Sequence, residues 1–167
     1  MGLDLKAPKN VKLDETDLLI LSMLQENARV SNVEIARRVG MVPSGILERL
    51  RKLEERKVIL AYETRLDSRV FDFGLIAFVF VRAEERNAGL STAAELAKIP
   101  EVQEVHNVAG EDCYLIKVRA RSPQELGHIL RDRLRTISSV QSTRTTIVLD
   151  TFKETSAIPL KKRSRKS

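Results

Sequence analysis

The chain has 167 residues, of which 43% are hydrophobic and 31% charged, and it contains one cysteine, Cys113. This length accommodates one domain or two small ones, and the apolar content excludes a disordered polyelectrolyte. A single cysteine excludes an intrachain disulfide and a zinc site of paired cysteines. The sequence has neither a membrane-span pattern nor a secretory signal, so we expect a cytoplasmic protein. The formal net charge of +6 favours a polyanionic partner.

Helical periodicity runs through residues 11–62, which follow a polar lead-in at residues 1–10. The first helix is predicted to begin after Asp14, whose carboxylate can accept hydrogen bonds from the free N–H groups of the first turn. The second helix is predicted to open at Ser31 with a capping box of the S-x-x-E form and to end at Gly40.

A third helix is predicted to start at Pro43, because the first helical position has no N–H partner to lose. It would bury Ile46, Leu50 and Leu53. Two short helices joined by a glycine-containing turn are typical of a helix-turn-helix, whose second helix presents its N-terminal residues to the major groove. The alternative is a helical hairpin whose charged residues only face water.

The predicted DNA contacts lie on the second and third helices. Small residues there allow a close approach to DNA, arginine and lysine neutralise phosphates, and Arg49 could also reach a guanine edge. The residues assigned to this site are Arg37, Arg38, Pro43, Ser44, Gly45, Glu48, Arg49, Arg51 and Lys52.

After a linker at residues 63–74, residues 75–153 alternate between strand and helix patterns, and residues 154–167 form a basic tail. The order β-α-β-β-α-β predicts a ferredoxin-like antiparallel sheet, so the fold class is α+β. The predicted elements are Leu75–Val81, Gly89–Ile99, Val102–Ala109, Cys113–Ala120, Ser122–Ile137 and Val140–Phe152. The first and last strands are apolar and β-branched, which predicts self-association through this domain.

Gly110 stands between two predicted strands, where glycine can adopt backbone angles closed to other residues. Backbone N–H groups exposed there can hold a carboxylate, and Glu111 or Asp112 can hold an ammonium group. A free amino acid carries both charges, so this turn is a candidate site for one. The alternative is a β-turn whose acidic residues face water.

His106 and His128 lie on different predicted elements, and no cluster has metal-ligand spacing, so we expect neither a metal nor a cofactor. Cys113 is expected to be a small buried hydrophobe, since no base is identifiable near it. No nucleophile, base and orienting group converge, which argues against an enzyme. Because ferredoxin-like folds host many activities, an enzyme remains the weaker alternative.

The order of several motifs resembles the Lrp/AsnC family of transcriptional regulators over roughly nine-tenths of the chain. The matching stretches are Leu13–Asp17, Ile20–Leu21, Ile35–Gly40, Arg49–Glu54, Val58–Ile59, Phe73–Gly74 and Gly110–Leu115. The resemblance implies a winged helix-turn-helix that binds double-stranded DNA and a ferredoxin-like domain that pairs subunits and often binds an amino acid. It implies homodimers that associate further, commonly to octamers.

The resemblance places the effector at Gly110, Glu111, Asp112, Cys113 and Tyr114. We therefore predict a sequence-specific DNA-binding regulator modulated by an amino acid. A sequence-tolerant architectural DNA-binding protein is the alternative.

Three positions depart from the family pattern. Val42 replaces the usual hydroxyl cap of the recognition helix, Lys57 replaces a glycine near its end, and Cys113 stands where an aspartate often precedes the tyrosine. Valine cannot cap a helix, so the first turn of the recognition helix would rely on DNA phosphate or water.

Overall fold

The computed structural model describes residues 11–84, 91–110 and 112–160. These residues form two compact units, one of residues 11–65 with 154–160 and the other of residues 66–153. Three predicted features lie outside the described residues: the lead-in at 1–10, Glu111, and the basic stretch 161–167.

The first unit contains the three predicted helices, α1 (Glu15–Glu26), α2 (Asn32–Val39) and α3 (Pro43–Glu55). Their apolar faces meet in one core, in which every side chain is at least nine-tenths buried. Its members are Ile20, Ile35, Ala36, Ile46 and Leu50. This small core fixes which faces of α2 and α3 remain exposed to solvent.

The predicted cap of α1 is present in reciprocal form. Asp14 accepts a hydrogen bond from the Asp17 N–H at 2.7 Å, and the Asp17 carboxylate accepts one from the Asp14 N–H at 3.1 Å. At α2 the Ser31 hydroxyl accepts a hydrogen bond from the Glu34 N–H at 3.2 Å. Each bond satisfies a donor that the helix itself leaves unpaired.

A residue in the left-handed backbone conformation follows the end of α3. Lys57 has φ 57°, and the following Val58 N–H bonds to the Leu53 carbonyl at 2.8 Å. This is the bond that closes a helix when glycine occupies the left-handed position. The chain therefore keeps the geometry for which the family uses glycine, although a side chain is present there.

The second unit is a four-stranded antiparallel sheet in the order β2-β3-β1-β4. Its elements follow the predicted β-α-β-β-α-β order, after a short 3-10 turn at Ser68–Phe71. They are β1 (Leu75–Ala83), α4 (Ser91–Leu96), β2 (Val102–Asn107), β3 (Tyr114–Ala120), α5 (Pro123–His128), a π-helical continuation (Ile129–Leu134) and β4 (Val140–Ile147).

Several predicted elements differ from the structure at their ends. The helix expected over 89–99 ends at Leu96, and its first two residues lie outside the described residues. The strand expected over 102–109 ends at Asn107, and the strand expected to end at Val81 continues to Ala83.

The last strand was expected to reach Phe152 but ends at Ile147, where its pairing with β1 runs out: Ala77 opposes Ile147, and the last bond joins the Val148 N–H to the Ile76 carbonyl. The helix expected over 122–137 widens after His128 into π-type bonding, as in the bond from the Arg135 N–H to the Leu130 carbonyl at 3.2 Å.

Only one face of this sheet packs in the hydrophobic core. Ala77, Val79 and Val81 are fully buried in a cluster that includes residues of α5 and its continuation. Their neighbours Phe78 and Phe80, which point to the opposite face because side chains alternate along a strand, are only partly buried. No helix within the described ranges is long and apolar enough to cross a membrane.

Candidate nucleic-acid interface and ligand loop

The turn between α2 and α3 is built on a glycine in the left-handed region. Gly40 has φ 70° and ψ 35°, and the Met41 N–H bonds back to the Ala36 carbonyl at 2.9 Å. α3 then starts at Pro43, and the N-cap Val42 provides no side-chain hydrogen bond to it. The N–H groups at the start of α3 are therefore not capped by Val42, as the sequence predicted.

The buried and exposed faces of α3 are clearly separated. Ile46, Leu50 and Leu53 are at least nine-tenths buried. The exposed residues include five of the predicted DNA contacts, namely Pro43, Ser44, Glu48, Arg51 and Lys52. Gly45 is half-buried instead, and a Cβ atom there would lie 3.0 Å from the Met41 Cε. The Met41 Cε is the end of a flexible side chain that can move aside, so packing in the domain does not by itself require glycine here.

Arg49 is bound by two carboxylates of the α1 cap. Its Nη1 lies 2.7 Å from Asp14 Oδ2 and 2.7 Å from Asp17 Oδ1. The pKa of Asp14 is lowered, first by the Asp17 N–H and then by Arg49, and the two carboxylates raise the pKa of Arg49. The guanidinium that was predicted to contact DNA thus connects α3 to α1 in the free protein.

Arg37 and Arg38 share the carboxylate of Glu34. Arg37 Nη2 lies 2.8 Å and Arg38 Nε 2.7 Å from Glu34 Oε1, and the two arginine side chains remain 72% and 54% exposed. Hydrogen bonds from Arg37 and then Arg38 lower the pKa of Glu34 to about 2. Both guanidinium groups are at the surface, and both are paired with a carboxylate of their own helix.

The remaining cations of α3 are paired in the same way. Arg51 lies 2.8 Å from Glu55, and Lys52 lies 2.6 Å from Glu48, in each case one helical turn apart. Lys52 lowers the pKa of Glu48. Exposed pairs of this kind contribute little to stability, so a phosphate can compete for the cations at small cost.

The loop between β2 and β3 has the conformation expected at Gly110, whose φ is +136°. Cys113 is fixed at the end of this loop: its N–H bonds to the Val81 carbonyl at 3.0 Å and its thiol donates to the Ala83 carbonyl at 3.1 Å. Cys113 packs against the core, and the next residue, Tyr114, is 2% exposed. The loop is thus held by its last two residues.

Asp112 in this loop meets a cation from another strand. Its Oδ2 lies 3.1 Å from Arg144 Nη2, and the guanidinium of Arg144 lies 4.0 Å from the centre of the Phe80 ring. The sequence did not point to Arg144, because it is 32 residues from Asp112 and the pairing of β4 with β1 brings it there. Both charges that a free amino acid needs are therefore present at this loop.

Two family models match most of the chain. A model described as "Winged helix-turn-helix DNA-binding" matches residues 13–59, and one described as "Lrp/AsnC ligand binding domain" matches residues 76–158. The chain belongs to the Lrp/AsnC family.

Relatives cover nearly the whole length of the chain. It is 35% identical to an HTH-type transcriptional regulator, FL11, of Pyrococcus horikoshii, over 90% of this chain and 99% of that protein. It is 34% identical to the leucine-responsive regulatory protein of Escherichia coli K12, over 96% of this chain and 99% of that protein.

Two solved structures of regulators are similar to this chain over most of its length. A transcriptional regulator of Neisseria meningitidis in complex with L-Met has a TM-score of 0.83 at 34% identity, covering 89% of this chain and 97% of that one. A feast or famine regulatory protein of Mycobacterium tuberculosis, complexed with L-methionine, has a TM-score of 0.82 at 32% identity, covering 90% and 100%.

These findings confirm the α+β architecture and a DNA-binding transcriptional regulator rather than an enzyme.

Sequence reasoning missed one exposed apolar residue on α3 of this Lrp/AsnC chain, Leu47. Leu47 on α3 is 60% exposed and Val42 before it is 66% exposed. A leucine off the Ile46, Leu50 and Leu53 face was the available signal, because such a side chain cannot join the core. On a recognition helix, an exposed apolar side chain suits the methyl group of thymine.

The histidines pair locally. His106 lies 3.2 Å from Glu104, and His128 lies 3.2 Å from Asp132. Over the part of the chain that the structure describes, no three His, Cys, Asp or Glu side chains are grouped to hold a metal ion.

Proposed function

We propose that this Lrp/AsnC regulator binds specific sequences in double-stranded DNA through the exposed face of α3. The observation that carries the proposal is the separation of faces on α3, with Ile46, Leu50 and Leu53 buried in the domain and most of its polar residues exposed. An α-helix fits the major groove of B-DNA, and the second helix of a helix-turn-helix enters it.

The contacts divide by role. Ser44, Leu47 and Glu48 are exposed near the start of α3 and are proposed to face base edges. The exposed cations Arg37, Arg38, Arg51 and Lys52 are proposed to contact phosphates, exchanging their carboxylate partners for DNA oxygens. Pro43 starts the helix, the small Gly45 allows close approach to DNA, and Arg49 acts by holding α3 to α1.

Filter binding tests this function. We expect DNA from upstream of its own gene to bind more tightly than bulk DNA at the same salt concentration. A specificity ratio of ~10³ or more is typical of a regulator. Equal affinity for both DNAs would support the alternative, a sequence-tolerant architectural protein, and no binding to either would contradict the function.

The ligand of the second domain is proposed to be a free amino acid bound at Gly110, Glu111, Asp112, Cys113 and Tyr114. Asp112 can hold the ammonium group, while Arg144 and the loop N–H groups can hold the carboxylate. The L-Met complexes of the two structural neighbours support this ligand class. To regulate, the ligand must bind one state of the protein better than the other.

Calorimetric titration with each of the twenty amino acids tests the ligand. We expect heat from at least one of them, and no heat with Gly110→Leu, because a leucine at φ +136° is strained even though the space is open. Absence of heat from every amino acid, or equal binding by the variant, would leave the loop without a ligand role.

Self-association is proposed to use the face of the sheet opposite the helices. Phe78 and Phe80 lie on that face, where Thr146 and Arg144 of β4 stand opposite them. We propose a homodimer, associating further to an octamer, that reads half-sites spaced by ~10 base pairs or a multiple of it. Light scattering is expected to give at least a dimer at micromolar concentration, and a monomer would contradict the assignment.

A further inference from the structure

The polypeptide chain passes twice between its two units, once after residue 65 and again after residue 153. Residues 60–65, which lead to the first crossing, are here called the outgoing segment, and residues 154–160, which follow the second crossing, the return segment. Every residue of the outgoing segment and most of the return segment are exposed to solvent. Burial in a core therefore does not place these segments, and specific hydrogen bonds do.

Arg65 and Glu154, the residues at the two crossings, are bonded to each other. The Arg65 Nη1 donates to the Glu154 carbonyl at 2.5 Å, and Nη2 lies 3.2 Å from the Glu154 carboxylate. The side chain of Glu154 is 28% exposed, so this contact is partly shielded from water. The two residues join both passages of the chain at the edge of the DNA-binding unit, across 89 residues of sequence.

Each segment is also bonded to a helix of the DNA-binding unit. Tyr62 of the outgoing segment donates its hydroxyl to Glu54 of α3 at 2.8 Å. Gln25 of α1 binds the return segment at Ile158, where its Oε1 accepts the N–H at 2.8 Å and its Nε2 donates to the carbonyl at 3.1 Å. Two bonds to one residue fix the direction of that backbone as well as its position, as in a hydrogen-bonded pair of antiparallel strands.

From these contacts we propose that Gln25 and Arg65 are positioning residues. They restrict rotation of the DNA-binding unit about the two crossings, so that the recognition helices of a dimer meet half-sites at one spacing. Two domains joined by one exposed linker move relative to each other by default, because rotation about a few backbone bonds is enough. Two crossings that are bonded together can bend as a pair but cannot turn independently. This inference rests on the proposed binding of DNA by a homodimer.

Rotation of the unit determines which DNA sites a dimer can occupy. The second half-site adds affinity, typically ~10²–10⁴-fold, only if both recognition helices engage at once. Inserting about five base pairs between the half-sites turns the second one by about half a helical turn, to the other side of the duplex. A dimer with restricted units loses the second contact on such DNA, whereas a dimer with freely rotating units keeps part of it.

Filter binding of the full chain tests the proposal with three duplexes made from its own upstream DNA. The first has two half-sites at the preferred spacing, the second has about five added base pairs between them, and the third has one half-site alone. The variant combines Gln25→Ala with Arg65→Gln, both at exposed positions, and so removes the bonds to Ile158 and Glu154.

We expect the unmodified chain to bind the preferred spacing roughly tenfold or more tightly than the lengthened one. In the variant this ratio should fall roughly 3–10-fold, because each lost contact shifts an equilibrium by about 2–5-fold. Affinity for the single half-site should change by less than about twofold, since both residues lie outside the proposed DNA contacts. An unchanged ratio in the variant would overturn the proposal.

A matched control removes the same residue types from the other unit. Gln124 and Arg133 are exposed, and combining Gln124→Ala with Arg133→Gln lowers the net charge by the same amount. We expect this control to keep the spacing ratio and the half-site affinity of the unmodified chain. An equal fall of the ratio in both variants would mean that the lost charge alone acts, and the positioning role would be wrong.

Hydrogen exchange of the Ile158 amide, followed by NMR, tests whether the return segment is held. We expect this amide to exchange more slowly than in an unstructured peptide and to accelerate roughly 2–10-fold in Gln25→Ala, which removes its acceptor. Exchange at the peptide rate in the unmodified chain would show that Gln25 does not hold the segment, and the proposal would fall.

The two proposals fail differently. If the unmodified chain binds both spacings equally, and more tightly than one half-site, the dimer reads DNA with freely rotating units and the positioning role is wrong. If it binds neither the three duplexes nor bulk DNA at about 50 mM salt, the DNA-binding function itself is contradicted.

Discussion

Replacing Arg49 by Met is expected to loosen the recognition helix α3 from α1. Methionine keeps an apolar stem but has no donor for the two carboxylates, each 2.7 Å from the guanidinium. The side chain of Asp17 is 14% exposed and that of Asp14 is 52% exposed, so one of the two contacts is well shielded from water. An arginine that served only DNA would leave the stability of the free protein unchanged.

The stability lost in Arg49→Met can be worked out from how far the two contacts are shielded from water. An exposed ion pair is worth ~0.2–1 kcal/mol and a hydrogen bond to a charged group ~1.5–3 kcal/mol. The Arg49 guanidinium is 30% exposed and makes one exposed and one shielded contact. Losing both should lower the free energy of local unfolding of α3 by about 1–2 kcal/mol. This corresponds to a factor of roughly 5–30 in the population of the open state.

Hydrogen exchange of the amides in residues 46–55, measured on the full chain by mass spectrometry, reports this opening. The matched control is Arg51→Met, because Arg51 is 77% exposed and pairs only along its own helix with Glu55. We expect exchange to accelerate about 5–30-fold for Arg49→Met and at most about twofold for Arg51→Met. Exchange as slow as in the unmodified chain would refute a stabilising contact of Arg49 with Asp14 and Asp17 and return Arg49 to the DNA contacts.

Three further predictions concern single residues. Lys57→Gly is expected to stabilise the DNA-binding unit by about 0.5–1 kcal/mol in urea unfolding. A side chain at φ 57° costs ~1–2 kcal/mol, which exceeds the entropic cost of the extra freedom that glycine gives the unfolded chain. Gly40→Ala, at φ 70°, should destabilise the unit. Carbon NMR should give a pKa of about 2 for the Glu34 carboxyl, and a pKa closer to 4.5 in Arg37→Gln. Because the pKa is lowered in the folded chain, the ion pair of Glu34 stabilises the fold fully above pH 4.5, and this stabilisation is lost as the pH falls through about 2. Leu47→Ala should cost ~1–3 kcal/mol of discrimination at one base pair and leave the unfolding midpoint unchanged, and a uniform loss on all DNAs would contradict a base contact.

Local chemistry determined the helical elements. The N-caps Asp14 and Ser31, the stop at Gly40 and the start at Pro43 act through groups within four residues, so the sequence predicted their positions. The spacing of Ile46, Leu50 and Leu53 likewise predicted the buried face of α3, because helical periodicity fixes which side chains share a face. The order of strands and helices determined the ferredoxin-like sheet in the same way.

Tertiary structure decided the partners of the charged groups. Arg49 meets Asp14 and Asp17 across more than thirty residues of sequence, and Arg144 meets Asp112 across the same distance. No local sequence pattern encodes these ion pairs, since they depend on how α3 packs against α1 and on the register of β4 against β1.

The end of β4 and the position of residues 154–160 have the same origin. The residues after Ile147 still read as a strand, but a strand continues only where a neighbour offers hydrogen bonds, and β1 offers none beyond the bond to Val148. Residues 154–160 have no helical or strand periodicity and are placed by the hydrogen bonds between the Gln25 amide of α1 and the backbone of Ile158. The sequence by itself determined which segments form helices and strands and where charge accumulates, because these depend on neighbouring residues. Packing decided which charges are paired, because an ion pair between distant residues exists only after the chain has folded.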